Sequence, residues 1–232
     1  MKSIIILIFI LIQSPFIFAS EDIYLEKAPI DLSDQPSLQK GARTFINYCL
    51  NCHSAKYMRY NKLLDIGLSK KDIKENLLFT GKKIGDPMEI SMPVAESKKW
   101  FGATPPDLSV VARSRGPDWI YSYMKGFYRD SSREVGWNNI VYVNSAMPHI
   151  LWELQGEQEL DKNTGELSLI KAGKLNQKEY DAVIMDLTNF VTYMSEPVQL
   201  KRKKIGFYVV GFLLLLLLLT IKLKKEFWKD IK

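Results

Sequence analysis

The sequence predicts a mainly α domain with long loops and a small hairpin, followed by one C-terminal transmembrane helix. Three observations carry that expectation. Cys49-Leu50-Asn51-Cys52-His53 is a C-x-x-C-H pentapeptide, the attachment signature of a covalent haem. Apolar residues at helical intervals lead into it and recur before Glu196-Pro197. Ile205–Ile221 then runs for 17 residues without a charge, and Leu213–Leu219 within it are consecutive leucines.

The pentapeptide fixes a haem because two thiols three residues apart reach the two porphyrin vinyl groups as thioethers, while the next imidazole falls beneath the iron as an axial ligand. Cys49 and Cys52 are the only cysteines of the 232 residues, and His53 is one of two histidines. A haem here leaves no thiol for a structural disulfide. The rival readings need partners that the chain lacks. A thioredoxin-like dithiol is expected after a strand in a βαβ setting, and a zinc site needs two further ligands, which His149 alone cannot supply.

Length allows one ordinary domain with appendages. The net charge of +6 suggests nucleic acid until it is divided along the chain. Residues 21–200 hold 22 Lys/Arg against 24 Asp/Glu, whereas Lys201-Arg202-Lys203-Lys204 and Lys222, Lys224, Lys225, Lys229 and Lys232 supply most of the excess. The basicity therefore flanks a membrane segment, and the body offers no phosphate-binding face. Residues 1–20 read as a secretory signal, with Lys2 before an apolar run and an exit near Ala19-Ser20. An uncleaved anchor is the alternative. Export agrees with the pentapeptide, because covalent haem attachment takes place on the far side of the membrane.

The predicted elements follow in order. Glu21–Pro36 is acidic, proline-containing coil. Ser37 as N-cap, then Leu38, Ala42, Phe45 and Ile46, predict a helix ending at Cys49. Ser69 with Asp72 begins a second helix through Ile73 and Leu77. Residues 81–106 are punctuated by Gly85, Pro87, Pro93, Gly102, Pro105 and Pro106 and read as a long loop. Asp118–Phe127 is helical, with Trp119, Ile120, Tyr123 and Met124 on adjoining positions. Asp161-Lys162-Asn163-Thr164-Gly165 reads as the turn of a hairpin. Asn176 and Glu179 cap the last helix of the domain, whose stripe runs from Tyr180 to Met194 and is expected to pack across the helix before Cys49. Residues 201–222 form the anchor with its basic flanks, and 223–232 a tail.

An electron-transfer haem normally has both axial positions filled, and the second donor must come from a methionine or from His149. Met58 lies too close to His53 to reach the opposite face. Met124, Met185 and Met194 sit in helical stripes, where core packing is the ordinary reading. Two Met-Pro dipeptides remain, Met92-Pro93 and Met147-Pro148, each on stiff extended backbone suited to presenting a ligand from a loop. His149 competes with Met147 from two residues away.

Several blocks together resemble the cytochrome c1 family, the haem-bearing subunit of quinol–cytochrome c oxidoreductase in its compact bacterial form. They are Cys49–His53 continued as Ser54-Ala55, Gly102-Ala103-Thr104-Pro105-Pro106-Asp107-Leu108-Ser109 with Ala112-Arg113, Ala146-Met147-Pro148, Leu151-Trp152-Glu153, Asp186-Leu187 through Glu196-Pro197, and the anchor followed by Phe227-Trp228. The resemblance implies a class I-like c-type cytochrome domain with one haem c bound through Cys49 and Cys52, and iron ligands His53 and Met147. It further implies that Arg113 pairs with a haem propionate in a fork, and that Trp119, where the family often has tyrosine, lies near the same group. The chain departs from the family at Trp137-Asn138-Asn139-Ile140-Val141-Tyr142, where an Asn-Pro-Tyr element and a glycine-rich turn are common, and at Pro148-His149, where prolines often follow the methionine.

The function implied is a one-electron relay within a dimeric complex. Cytochrome b, a Rieske iron–sulfur protein and a cytochrome c acceptor are the partners, and no acid, base or nucleophile is assigned; Asp107 reads as structural. The haem domain, residues 21–200, is placed on the periplasmic side of the bacterial inner membrane with a cytoplasmic C-terminus. A membrane-tethered cytochrome serving a terminal oxidase or nitrogen-oxide reductase shares the pentapeptide and the anchor but not the other blocks. A haem enzyme or gas sensor requires an open sixth position.

Overall fold

The computed structural model describes residues 24–90 and 92–230, so the signal expected at residues 1–20 lies outside the described residues. The fold is mainly helical with short antiparallel hairpins and one long apolar C-terminal helix. Its centre is a crossing of two helices, α1 (Gln35–Thr44) and the last helix of the domain.

Helix α1 begins earlier than the sequence suggests. Asp34 is the N-cap, accepting from the Ser37 backbone N–H at 3.1 Å, and Pro36 occupies the first turn, where its missing N–H costs nothing. Ser37 is therefore buried within the helix instead of capping it, and its hydroxyl accepts from Asn189 at 3.1 Å. From Phe45 to Cys49 the chain widens into a π turn. Strand β1 (Ala55–Arg59), a 3-10 stretch (Tyr60–Ile66) and α2 (Lys70–Asn76) follow, the last with the expected reciprocal cap between Ser69 and Asp72. Residues 81–106 are less irregular than predicted. They contain β2 (Pro87–Met88), paired with β1, and α3 (Val94–Phe101). Pro93 and Gly102, which read as loop punctuation, are the two ends of α3, with Gly102 in the left-handed conformation at φ 72°.

Helices α4 (Val111–Ser114) and α5 (Pro117–Lys125) lead to the hairpin of β3 (Phe127–Arg129) and β4 (Trp137–Asn139). After α6 (Trp152–Gln155) comes the predicted hairpin, β5 (Gly156–Leu160) and β6 (Leu167–Ala172). Helix α7 (Gln177–Ser195) has both halves of the Asn176/Glu179 capping box and closes the core on α1, α4 and α5. Phe45 and Phe190 meet across the crossing with ring centroids 5.7 Å apart. Tyr180 donates to the Met124 carbonyl at 2.8 Å, and Tyr193 to that of Lys62 at 2.9 Å, so one helix ties together segments far apart in the sequence.

Helix α8 (Gln199–Phe227) has 29 residues, extending beyond the apolar run at both ends because lysine is a good helix former. At about 1.5 Å per residue it is roughly 43 Å long, enough to cross a hydrocarbon core of about 30 Å. None of it is buried against the described protein, unlike the core helix of a soluble domain.

Candidate functional site

The pentapeptide folds as one tight turn. The backbone N–H groups of Cys52 and His53 both donate to the Cys49 carbonyl, at 3.1 and 2.9 Å, and neither cysteine is in a disulfide. Burial pushes the Cys49 thiol up to about 12 and raises that of Cys52. A redox dithiol needs a depressed thiol, and neither thiol here is depressed. Among the described residues no three His, Cys, Asp or Glu side chains gather as a metal cluster.

His53 is buried, and its Nδ1 lies 2.7 Å from the Pro106 carbonyl oxygen. A carbonyl can only accept, so Nδ1 carries the proton and Nε2 keeps a free lone pair. Burial holds the imidazole below its usual pKa, against the opposing pull of the Pro106 hydrogen bond and the Asp107 charge. The result is a neutral ring with one nitrogen oriented and the other available, the arrangement found in metal-ligating histidines.

The segment carrying Pro106 is stitched onto the strand that follows His53. Leu108 donates to the Ser54 carbonyl at 2.8 Å, Lys56 N–H to the Asp107 carboxylate at 3.0 Å, and Tyr57 N–H to the Ser109 hydroxyl at 3.0 Å. Asp107 also accepts from Ser109 N–H at 2.8 Å. Its role is to shape this loop, in accord with the structural reading of the sequence. The Pro-Pro-Asp-Leu-Ser block thus serves the histidine through a backbone carbonyl, a role no side-chain pattern announces.

Met147 is half-buried on a separate loop. The Tyr123 hydroxyl donates to its Sδ at 3.5 Å and shares a hydrogen bond of 2.8 Å with Ser145. Trp119 stacks on Tyr123, centroids 4.8 Å apart and 8° from parallel, which joins Trp119 to Met147 through one intervening ring. The loop itself rests on two buried asparagines. Asn139 donates to the Tyr123 carbonyl at 2.7 Å and accepts from Val141 and Tyr142; Asn138 accepts from Asn144 at 2.8 Å and donates to Asp130. These side-chain hydrogen bonds brace the loop at the point where the sequence departs from the family resemblance. Tyr123, Asn138 and Asn139 are the residues that sequence reasoning missed. Tyr123 was visible only as a member of a helical stripe.

Among the described residues Arg113 makes one side-chain ion pair, with Glu196. It lies 3.7 Å from Glu196, which also pairs with Arg202 at the start of α8, and its side chain is 61% exposed. His149 is buried, stacked on Phe127 with centroids 4.9 Å apart and edge-on to Trp137 at 5.1 Å. Burial pulls its pKa down to about 4. Met58 and Met88 are also buried in the core.

The free Nε2 of His53, two unpaired thiols beside it and a thioether held by a tyrosine fit a covalent haem with histidine and methionine ligands. Comparison with known proteins gives the family. The profile of the Cytochrome C1 family matches residues 24–231. Over the full length of both chains, this one is 46% identical to the ammonia monooxygenase gamma subunit of Nitrosomonas europaea and 45% identical to cytochrome c1 of Allochromatium vinosum. It is 30% identical to cytochrome c1 of Rhodospirillum rubrum, over 86% of this chain and 83% of that one.

Proposed function

Because the chain belongs to the cytochrome c1 family, we propose that it carries single electrons from a Rieske iron–sulfur protein to a cytochrome c, as the electron-transfer subunit of a quinol–cytochrome c oxidoreductase. A bound haem c supplies the one-electron couple of its iron. Cys49 and Cys52 would hold it by thioethers, and His53 and Met147 would supply the iron ligands. The observation that carries this reading is the 2.7 Å contact between His53 Nδ1 and the Pro106 carbonyl, which presents Nε2 directly after the two thiols.

Tyr123 tunes the second ligand. A hydrogen bond to the thioether draws density from sulfur and favours the reduced iron, so Tyr123→Phe lowers the midpoint potential. A neutral hydrogen bond contributes about 1 kcal/mol, and with about 59 mV per tenfold change for one electron the shift is at most about 40 mV. Redox titration checks the sign. Arg113 is exposed and separated from Glu196 by a long contact, which leaves its guanidinium free to reach a propionate. Trp119, stacked on Tyr123, is proposed to lie near the same propionate.

Residues 1–20 are proposed as a secretory signal, 21–200 as the periplasmic haem domain, 201–222 as the anchor and 223–232 as a cytoplasmic tail. The anchor keeps the haem domain beside cytochrome b in the inner membrane, so that a mobile iron–sulfur head meets a high effective concentration of acceptor. Deleting residues 205–232 is expected to leave a haem-bearing soluble protein that no longer enters the complex, assayed by haem staining of soluble and membrane fractions. Retention of the truncated domain in the purified complex removes this role from α8.

One observation favours a second reading. A relative of equal length and 46% identity is named as a subunit of an ammonia monooxygenase, so the chain could serve as an electron carrier within such an assembly. Purification from solubilised membranes separates the two. We expect cytochrome b and a Rieske protein to copurify, in a dimeric assembly, whereas monooxygenase subunits in their place support the second reading.

A further inference from the structure

Both ring nitrogens of His149 are buried without a hydrogen-bond partner, and so is the Oε1 of Gln155, the polar side chain that faces the ring. The Gln155 Nε2 donates to the Lys125 carbonyl at 3.0 Å. The ring is otherwise packed by aromatics, Phe127 on its face and Trp137 at its edge, and the Arg129 guanidinium carbon lies 3.9 Å from the Trp137 ring centroid.

Phe127 is shared. It packs edge-on against Tyr123, centroids 5.0 Å apart, and Tyr123 donates to Met147 Sδ. The five-residue stretch Ser145–His149 is therefore clamped at both ends on one aromatic pair: Ser145 and Met147 on the Tyr123 hydroxyl, His149 on the face of Phe127. A loop presenting a single thioether holds its ligand only as firmly as its backbone is held, because small displacements of the donor weaken the bond while leaving the fold intact.

We infer that His149 is a positioning residue for Met147: wedged between Phe127 and Trp137, it fixes the end of the loop that carries the proposed ligand. The inference rests on the ligand assignment proposed above. His149 touches neither haem nor iron on this account, and it is not the exchangeable ligand that its place in the sequence suggests.

Full-length holoprotein in its membrane-extracted complex provides the test, with two readouts: the long-wavelength absorption band of methionine–iron ligation, and the affinity of the oxidised haem for imidazole, which competes with the thioether. Wild type shows the band. In His149→Ala the band persists but imidazole binds about tenfold more tightly, because the space emptied between Phe127 and Trp137 lets the loop move. His149→Phe keeps the stack and stays near wild type, whereas His149→Leu, which fills the space without a flat ring, falls between wild type and His149→Ala. Should His149→Ala not assemble, His149→Leu decides the matter. Wild-type imidazole affinity in His149→Ala, or in His149→Leu where the alanine variant fails to assemble, overturns the positioning role while the ligand assignment stands. Loss of the band in His149→Ala or His149→Phe, with the band retained in Met147→Leu, makes the ligand assignment wrong instead.

Discussion

Leucine at Met147 lowers the midpoint potential of the bound haem by on the order of a few hundred millivolts, or leaves an iron that takes up carbon monoxide on reduction. Axial ligands move haem potentials across about 0.8 V, and a thioether is the soft donor that favours the reduced state. Leucine has a similar volume and no donor atom, so it removes the ligand while disturbing packing little. The surroundings favour this methionine over the others. Its sulfur accepts from Tyr123, its backbone N–H donates to Ser145 at 3.3 Å, and its loop is braced by Asn138 and Asn139. Met92, the other Met-Pro candidate, stands just before α3, and Met92→Leu is expected to leave the potential where it was. Redox titration of both variants, with carbon monoxide difference spectra, decides between them. A large drop in Met92→Leu and none in Met147→Leu would sink the assignment.

The legible parts of the chain were those whose information is local. Ser69 with Asp72 and Asn176 with Glu179 are capping boxes, each a bond between residues three apart, and both are present as read. The stripe on α7 follows from helical periodicity alone. The hairpin at residues 156–172 was announced by its Asp161–Gly165 turn, although its strands run farther than the turn suggested. What escaped was non-local or belonged to the backbone. The Pro106 carbonyl orients His53 from 53 residues away, and any residue type has a carbonyl. Asn138 and Asn139 look like ordinary turn formers, yet Asn139 reaches the backbone of α5 16 residues earlier. Pro93 and Gly102 hid a helix because the residues that end helices also fill loops. The anchor was recognisable from composition, but charges delimit its apolar run and not its helix, which continues through Lys201–Lys204 and Lys222–Lys225.

The largest expected effect on folding comes from a position with no chemistry, Gly41. Here α1 crosses α7 so closely that an added Cβ would overlap the Asp186 carbonyl oxygen and lie 2.7 Å from both the Asp186 carbonyl carbon and the Phe190 Cβ. The obstacle is mainly backbone, and it cannot rotate aside as a side-chain tip could. Neighbouring contacts hold the two helices in register: Asn189 on α7 donates to the Asp31 carbonyl at 2.7 Å and to Ser37 at 3.1 Å, while Phe45 meets Phe190 farther along. Gly41→Ala must therefore push the helices apart and uncover fully buried rings. Overpacking a core costs about 1–3 kcal/mol, and a clash with main chain lies at the top of that range, against a total stability of about 5–15 kcal/mol. The strain also travels to the site, because α1 runs through the π turn into Cys49. Gly41→Ala is expected to unfold several degrees lower and to accumulate less haem-bearing protein, as read by thermal unfolding and haem staining. Gly206→Ala is the matched control, since a Cβ there meets nothing within 4 Å and replaces glycine in a helix interior. Equal stability of the two variants would mean that the α1–α7 crossing is looser than described and does not set the position of the attachment turn.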